Sequence, residues 1–321
     1  MTRPKVLITR RWPQEVERYL AERYELTLNK SDAPLTSDAL ASALQTQDAL
    51  CPTVTDRITA DMLKGARTKI IANYGVGFSH IDVDACQAHG IIVTNTPDVL
   101  TDATADIAIT LMLMVARRAG EGERQVRSGN WTGWRPTHMI GTHVTGKTLG
   151  IVGLGRIGLA VARRAHRGLG MKIIYYARSA PSREAEIELG ARRCSTLEEL
   201  LAQSDFVSLH CPGGAANRHL IDASRLVHMK RTAFLINTAR GEVVHEAALI
   251  SALKSGAIAG AGLDVYEQEP RVPDALIEME NVVLLPHLGS ATSQTRIAMG
   301  MRAAENLGAF FSGQALPDRI V

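Results

Sequence analysis

Arg240, Glu269 and His287 are the residues of this chain whose types could work together on one small molecule. Each follows a short apolar run: Arg240 in Ile236 to Gly241, Glu269 in Gly262 to Pro270, His287 in Leu285 to Ser290. A fixed guanidinium can hold a 2-oxo acid through two parallel hydrogen bonds. An imidazolium can give a proton to a carbonyl oxygen while hydride arrives at the carbon. A neighbouring carboxylate orients that imidazole and favours its charged form. Taken singly, the arginine reads as a surface ion pair, the glutamate as a loop carboxylate and the histidine as a turn residue. Their joint placement at the expected carboxyl ends of strands, where open α/β sheets put ligands, gives them a shared meaning.

The elements that must position them are signalled by a glycine-spaced turn, Gly153-Leu154-Gly155-Arg156-Ile157-Gly158, directly after an apolar segment from Thr148. The first glycine permits a tight strand-to-helix turn, the second lets backbone approach a pyrophosphate, and the third lets helix and strand pack closely. A helix from Ile157 to about Gly168 would aim its N-terminal amides at phosphates, and Lys172 to Tyr176 reads as the next strand. Further strands are expected at 206–209, 233–237, 261–265 and 282–285, with helices at 196–202, 223–226 and 246–255. That is a doubly wound dinucleotide-binding domain over residues 100–289. The first 99 residues alternate similarly. Strands are expected at 6–8, 25–28, 49–50, 70–72 and 91–93, and helices at 13–23, 37–46 and 81–89. The turn at Asn95 to Asp98 precedes a long helix from Thr101. A last helix, 291–311, has no strand left to serve and is expected to cross back, so residues 1–99 and 290–321 form one discontinuous domain.

Composition narrows the class. The 321 residues are 45% hydrophobic and 21% charged, with a net charge of +3. This describes an ordinary globular chain of two domains and favours neither nucleic acid nor a membrane as partner. The runs Arg163-Arg164 and Arg192-Arg193 read as solvated positions rather than a phosphate track. Cys51, Cys86, Cys194 and Cys211 lie far apart without metal-ligand spacing, as expected of reduced, mostly buried thiols in a cytoplasmic protein. No metal is implied. The start of the chain lacks the apolar region of a signal peptide. Ile107 to Ala116 is too short to span a bilayer and reads as a buried helix, with a subunit contact as one role.

With these residues in view, the chain resembles the D-isomer-specific 2-hydroxyacid dehydrogenase family over essentially its whole length, and glyoxylate/hydroxypyruvate reductases within it. The carrying segments are Asn73 to Asp82, Gly153 to Gly158, Asn237 to Gly241, Gly262 to Val265 with Glu269-Pro270, and Pro286 to Ser290. The resemblance implies two Rossmann-like or flavodoxin-like α/β domains with parallel sheets, and an interdomain active-site cleft that closes and excludes water. It implies that Arg240 binds substrate, that Glu269 pairs with the histidine, and that His287 is the acid/base. Backbone amides near Val76 and Gly77 would take the substrate carboxylate, with Ser290 and Cys51 completing the pocket. Cofactor contacts would come from Thr104, the 153–158 turn, Ala177, Arg178, Ser179, His210, Cys211, Pro212, Thr238, Ala239, Arg240, Asp264, His287 and Gly289. Asp264 would meet the nicotinamide carboxamide. Ser79 departs from the pattern, where relatives often carry Asn.

Two specificity readings follow. Dinucleotide sites that take NAD place an acid about 20 residues beyond the glycine turn, to bind the ribose 2′-hydroxyl. Here Ala177 stands 19 residues beyond Gly158, and Arg178 and Ser179 offer a cation and a hydroxyl suited to a 2′-phosphate, with Arg183 nearby in sequence. The expectation is NADPH in preference to NADH. The loop Trp131 to Pro136 holds two of three tryptophans and, on the resemblance, reaches towards a substrate pocket, with a partner subunit's pocket as an option; a homodimer is expected. The competing readings are a dehydrogenase of the same family for a bulkier 2-oxo acid, and a nucleotide-sensing, corepressor-like binding protein. The absence of a regulatory extension disfavours the longer phosphoglycerate-type enzymes.

Overall fold

The computed structural model describes residues 3–179 and 181–321; Met1, Thr2 and Ala180 lie outside the described residues. The chain divides into two units, Met1–Leu100 with Ser290–Val321, and Thr101–Gly289.

The first unit alternates β1 (Lys5–Ile8), α1 (Gln14–Arg23), β2 (Glu25–Leu28), α2 (Ser37–Thr46), β3 (Ala49–Cys51), β4 (Ile70–Ala72), α3 (Val83–Ala88) and β5 (Ile92–Thr94). Its sheet is wholly parallel in the order β2-β1-β3-β4-β5, the flavodoxin-like order. Strands β3 and β4 are buried throughout, which is why they read as short apolar runs and not as alternating ones. Thr36 and Asp82 start α2 and α3 by accepting backbone amides on their side chains.

The second unit runs α4 (Thr101–Ala116), α5 (Ala119–Arg127), β6 (Thr148–Val152), α6 (Arg156–Leu169), β7 (Lys172–Tyr176), α7 (Arg183–Leu189), β8 (Arg192–Arg193), α8 (Leu197–Gln203), β9 (Phe206–Leu209), α9 (Ala223–Leu226), β10 (Phe234–Asn237), α10 (Glu246–Lys254), β11 (Gly260–Leu263), α11 (Asp274–Ile277) and β12 (Val282–Leu284). The order β12-β11-β10-β9-β6-β7-β8, again all parallel, reverses direction between β6 and β9. That switch point is where doubly wound sheets bind nucleotides. The chain closes with α12 (Ser293–Phe311), which packs on β4 and α1 of the first unit. Gly300 permits the close approach, since a Cβ there would stand 2.8 Å from Val16 Cγ1.

Several expectations change. Sequence reading missed α5, α7, β8 and α11. Helix α3 is shorter than 81–89, because Asp82 caps it and positive-φ Gly90 follows it. Helix α4 buries Ala105, Ala108, Leu111, Met112 and Val115 within its own unit, against α6, β10 and β11. Its apolar character is therefore accounted for by core packing, and a subunit contact is not needed to explain it. The four cysteines are free thiols; Cys51, Cys86 and Cys194 are buried and Cys211 is half-buried. Among the described residues no helix is long and apolar enough to cross a membrane.

Candidate active site

The glycine turn sits between β6 and α6, and each glycine does a different job. Gly153 has φ +93, and a Cβ there would lie 2.8 Å from the Cys211 amide nitrogen, so only glycine lets the turn nestle against the end of β9. A Cβ on Gly158 would meet the Gly153 carbonyl oxygen at 2.3 Å, so this glycine lets α6 fold back over the turn. A Cβ on Gly155 would meet nothing within 4 Å, so the space it would enter is open to a ligand. Leu159 makes the first helical bond, to the Gly155 carbonyl at 2.8 Å, so the amides before it form the donor end of the helix. These features fit a bound dinucleotide pyrophosphate. Leu154 contributes backbone only, its side chain being buried in the apolar core.

Around the turn lie the other expected cofactor residues of this unit. His210 Nε2 stands 2.8 Å from Ser208 Oγ, and burial lowers its pKa to about 4, so its ring is neutral at physiological pH. Burial pushes the Cys211 thiol up to about 11, while Arg178 pulls it down. Pro212 is exposed. Past β7, Ala177 is half-buried, and Arg178 and Ser179 are exposed with no carboxylate paired to the arginine among the described residues.

His287 and Glu269 form a dyad: His287 Nδ1 lies 2.8 Å from Glu269 Oε2. Burial alone would raise the Glu269 carboxyl. The bond and charge of His287, the Tyr266 amide and nearby Arg240 outweigh it, and the net shift is downward. His287 itself sits at φ +56, a strained backbone for a non-glycine residue. Asp264 holds it there. Its carbonyl accepts the His287 amide at 2.9 Å, and its carboxylate oxygens accept the Leu288 and Gly289 amides at 2.6 and 2.8 Å. Buried among those groups, the Asp264 carboxyl is raised, burial being the largest cause. Expected to meet the nicotinamide carboxamide, Asp264 is seen anchoring the histidine turn. Thr104 Oγ1 reaches the Gly289 carbonyl at 3.1 Å and supports the same turn.

Arg240 arrives on the loop after β10. Buried Asn237 clamps that loop, donating to the Arg240 carbonyl at 2.9 Å and accepting the Ala239 amide at 3.0 Å. Gly241 lets it cross the Glu269 segment, where a Cβ would overlap the Tyr266 carbonyl at 1.9 Å. The guanidinium donates to the Ala239 carbonyl at 2.7 Å and has no ion pair among the described residues. Burial lowers its pKa, and Glu269 and Glu242 oppose the shift. A desolvated cation of this kind suits an anionic ligand. Neighbouring Thr238 is buried with its hydroxyl unpartnered.

In the first unit, the loop after β4 holds Val76 and Gly77. Its carbonyls are tied back. Asn73 Nδ2 donates to Gly75 and Gly77 at 3.0 Å each, and Asn95 Nδ2 donates to Val76 at 2.8 Å. The Val76 and Gly77 amides have no acceptor among the described residues, leaving two donors side by side. Sequence reasoning gave no role to Asn73, Asn95 or Asn237; a buried amide directly after an apolar strand was the available signal. Cys51 differs from expectation. Its thiol is fully buried and its carbonyl accepts from Thr9, so a pocket wall there would be lent by its neighbours. Ser290 is half-buried, its carbonyl taken by the Thr292 amide. Trp131 and Trp134 are 52% and 80% exposed, and in the flanking sequence Val126 and Ile140 are exposed too.

A doubly wound sheet, an open glycine turn at its switch point and a histidine–carboxylate pair define a nucleotide-dependent α/β oxidoreductase. A family model described as D-isomer specific 2-hydroxyacid dehydrogenase, NAD binding domain, matches residues 109–289. A glyoxylate reductase of Korarchaeum cryptofilum is 48% identical, over 99% of this chain and 96% of its own. Among solved structures, the TT0316 protein of Thermus thermophilus superposes with a TM-score of 0.88 at 43% identity, covering 98% of this chain and 99% of that one. An NADPH-dependent glyoxylate/hydroxypyruvate reductase of Sinorhizobium meliloti, in complex with NADP and malonate, gives 0.87 at 36% identity, covering 100% and 97%. The chain belongs to the D-isomer specific 2-hydroxyacid dehydrogenase family.

Proposed function

We propose that this protein reduces glyoxylate and hydroxypyruvate to glycolate and D-glycerate, with NADPH preferred over NADH and His287 as the proton donor. The observation that carries the reading is the His287–Glu269 pair at 2.8 Å, with the Arg240 guanidinium, which has no ion pair among the described residues, close enough to act on Glu269. When bound, the reduced nicotinamide supplies hydride to the substrate carbonyl carbon. The cofactor would be held by the 153–158 turn, Arg178, Ser179, His210 and the loop at Thr238 and Ala239. Arg240 orients the 2-oxo acid, and in the first unit the Val76 and Gly77 amides are donors suited to a carboxylate. Glu269 fixes the imidazole through Nδ1, so that Nε2 is the atom that carries the proton to the developing alkoxide. The relatives that are glyoxylate reductases favour this substrate class.

The preference for NADPH is supported by the absence of an acid between Tyr176 and Ser179 and by the exposed Arg178. A homodimer is supported by four large apolar side chains left exposed within one stretch of chain, Val126, Trp131, Trp134 and Ile140. Steady-state reduction of both substrates with NADPH and with NADH, side by side, tests the reading. Turnover concentrated in the NADPH reactions is expected. Equal catalytic efficiency with NADH removes the cofactor preference, and poor turnover in all four reactions redirects the substrate to a bulkier 2-oxo acid.

A further inference from the structure

Arg192 and Arg193 are adjacent on the short strand β8, yet they do different things. Arg192 pairs with Glu199 at 2.8 Å and also bonds Gln203, an ordinary surface arrangement. Arg193 has no carboxylate partner among the described residues. Its Nη2 instead donates to two backbone carbonyls of the turn after β7, Ala177 at 2.8 Å and Arg178 at 3.3 Å. Those are the residues at which the chain passes the place where an acid would select a ribose 2′-hydroxyl.

We propose that Arg193 is a positioning residue for cofactor choice, pinning the Ala177–Arg178 turn so that Arg178 and Ser179 are presented to a 2′-phosphate. This rests on the NADPH reading above. Two effects act in the same direction. The guanidinium holds both carbonyl oxygens, so neither is free to turn towards the phosphate and repel it. It also adds a positive charge behind the turn, which favours a dianionic group and is indifferent to a hydroxyl. The pairing register explains the reach: Tyr175 of β7 stands opposite Arg193, so its side chain can span to the residues that follow β7.

The test is binding without turnover, by calorimetry of NADP and of NAD to the wild type, Arg193→Gln, Arg193→Lys and Arg178→Gln. Arg193→Gln should weaken NADP about fivefold while changing NAD by less than about twofold, the size expected of one exposed charge contact. Arg193→Lys, which keeps charge but offers a single point donor, should fall between. Thermal melting of each apo variant reads folding independently. Equal weakening of NADP and NAD by Arg193→Gln, or no change in either, overturns the proposal. If the wild type does not prefer NADP, or Arg178→Gln leaves the NADP-to-NAD ratio unchanged, the cofactor reading itself fails, and that result is distinct from failure at Arg193 alone.

Discussion

At the scale of single residues, the site depends on groups held in unusual states by their neighbours. His287 keeps a positive φ because Asp264 accepts three successive backbone amides. Replacing His287 by Ala should lower kcat by about a hundredfold or more, the range for losing a general acid, and cost far less in NADPH affinity. Stopped-flow turnover and cofactor titration separate the two, and unaltered kcat would take His287 out of the acid role. Arg240→Lys should raise KM for the 2-oxo acid, because an ammonium cannot offer two parallel donors; an unchanged KM would count against a bidentate contact. His210 carries a prediction in pH. Folded, it titrates at about 4 against an ordinary 6.5, so between those values the unfolded chain binds a proton that the folded chain refuses. Its neutral form leaves stability complete above about pH 6.5, and stability declines as the pH falls towards 4. Melting temperatures of His210→Asn should fall less steeply across that window than those of the wild type, and parallel curves would assign the decline to other groups.

At the scale of elements, the C-terminal segment is fastened to the first unit by one buried carboxylate. Asp318 accepts both arms of Arg302 at 2.6 and 2.9 Å and the Asn306 amide at 2.8 Å, while Ile320 bonds Val93 at 2.8 Å beside β5. Asp318→Ala should cost about 2 kcal/mol in denaturant unfolding, less than for a fully buried pair because Arg302 remains 32% exposed. A loss within error of zero would mean the segment is held by its backbone bonds alone. Much of the element order was legible beforehand, because parallel strands buried on both faces leave unmistakable apolar runs and Thr or Asp caps mark helix starts. What escaped was α5, α7, β8 and α11. Helix α5 buries nothing, and β8 is two arginines long, so neither carries the hydrophobic pattern that sequence reading depends on. Gly153, Gly155 and Gly158 were legible because their spacing encodes close approach. The carbonyl clamps of Asn73, Asn95 and Asn237 were not, because a side-chain amide does not disclose which backbone atom it will meet.

At the scale of the whole molecule, the exposed tryptophans of residues 131–134 bear on assembly. Sedimentation velocity at micromolar concentration should give a dimer, and the double variant W131S/W134S should shift the distribution towards monomer; a wild-type monomer would refute the assembly. The discontinuous first unit bears on how the chain is made. Its sheet is complete in strands by Thr94, yet α12, which covers β4 and α1, is not translated until all of Thr101–Gly289 has been. At cellular elongation rates that interval is on the order of ten to forty seconds. A first sheet that folded during that interval would lack the cover α12 gives to Val16 and the flank of β4, an apolar surface of the kind a holding chaperone grips, until Gly300 and its helix arrive.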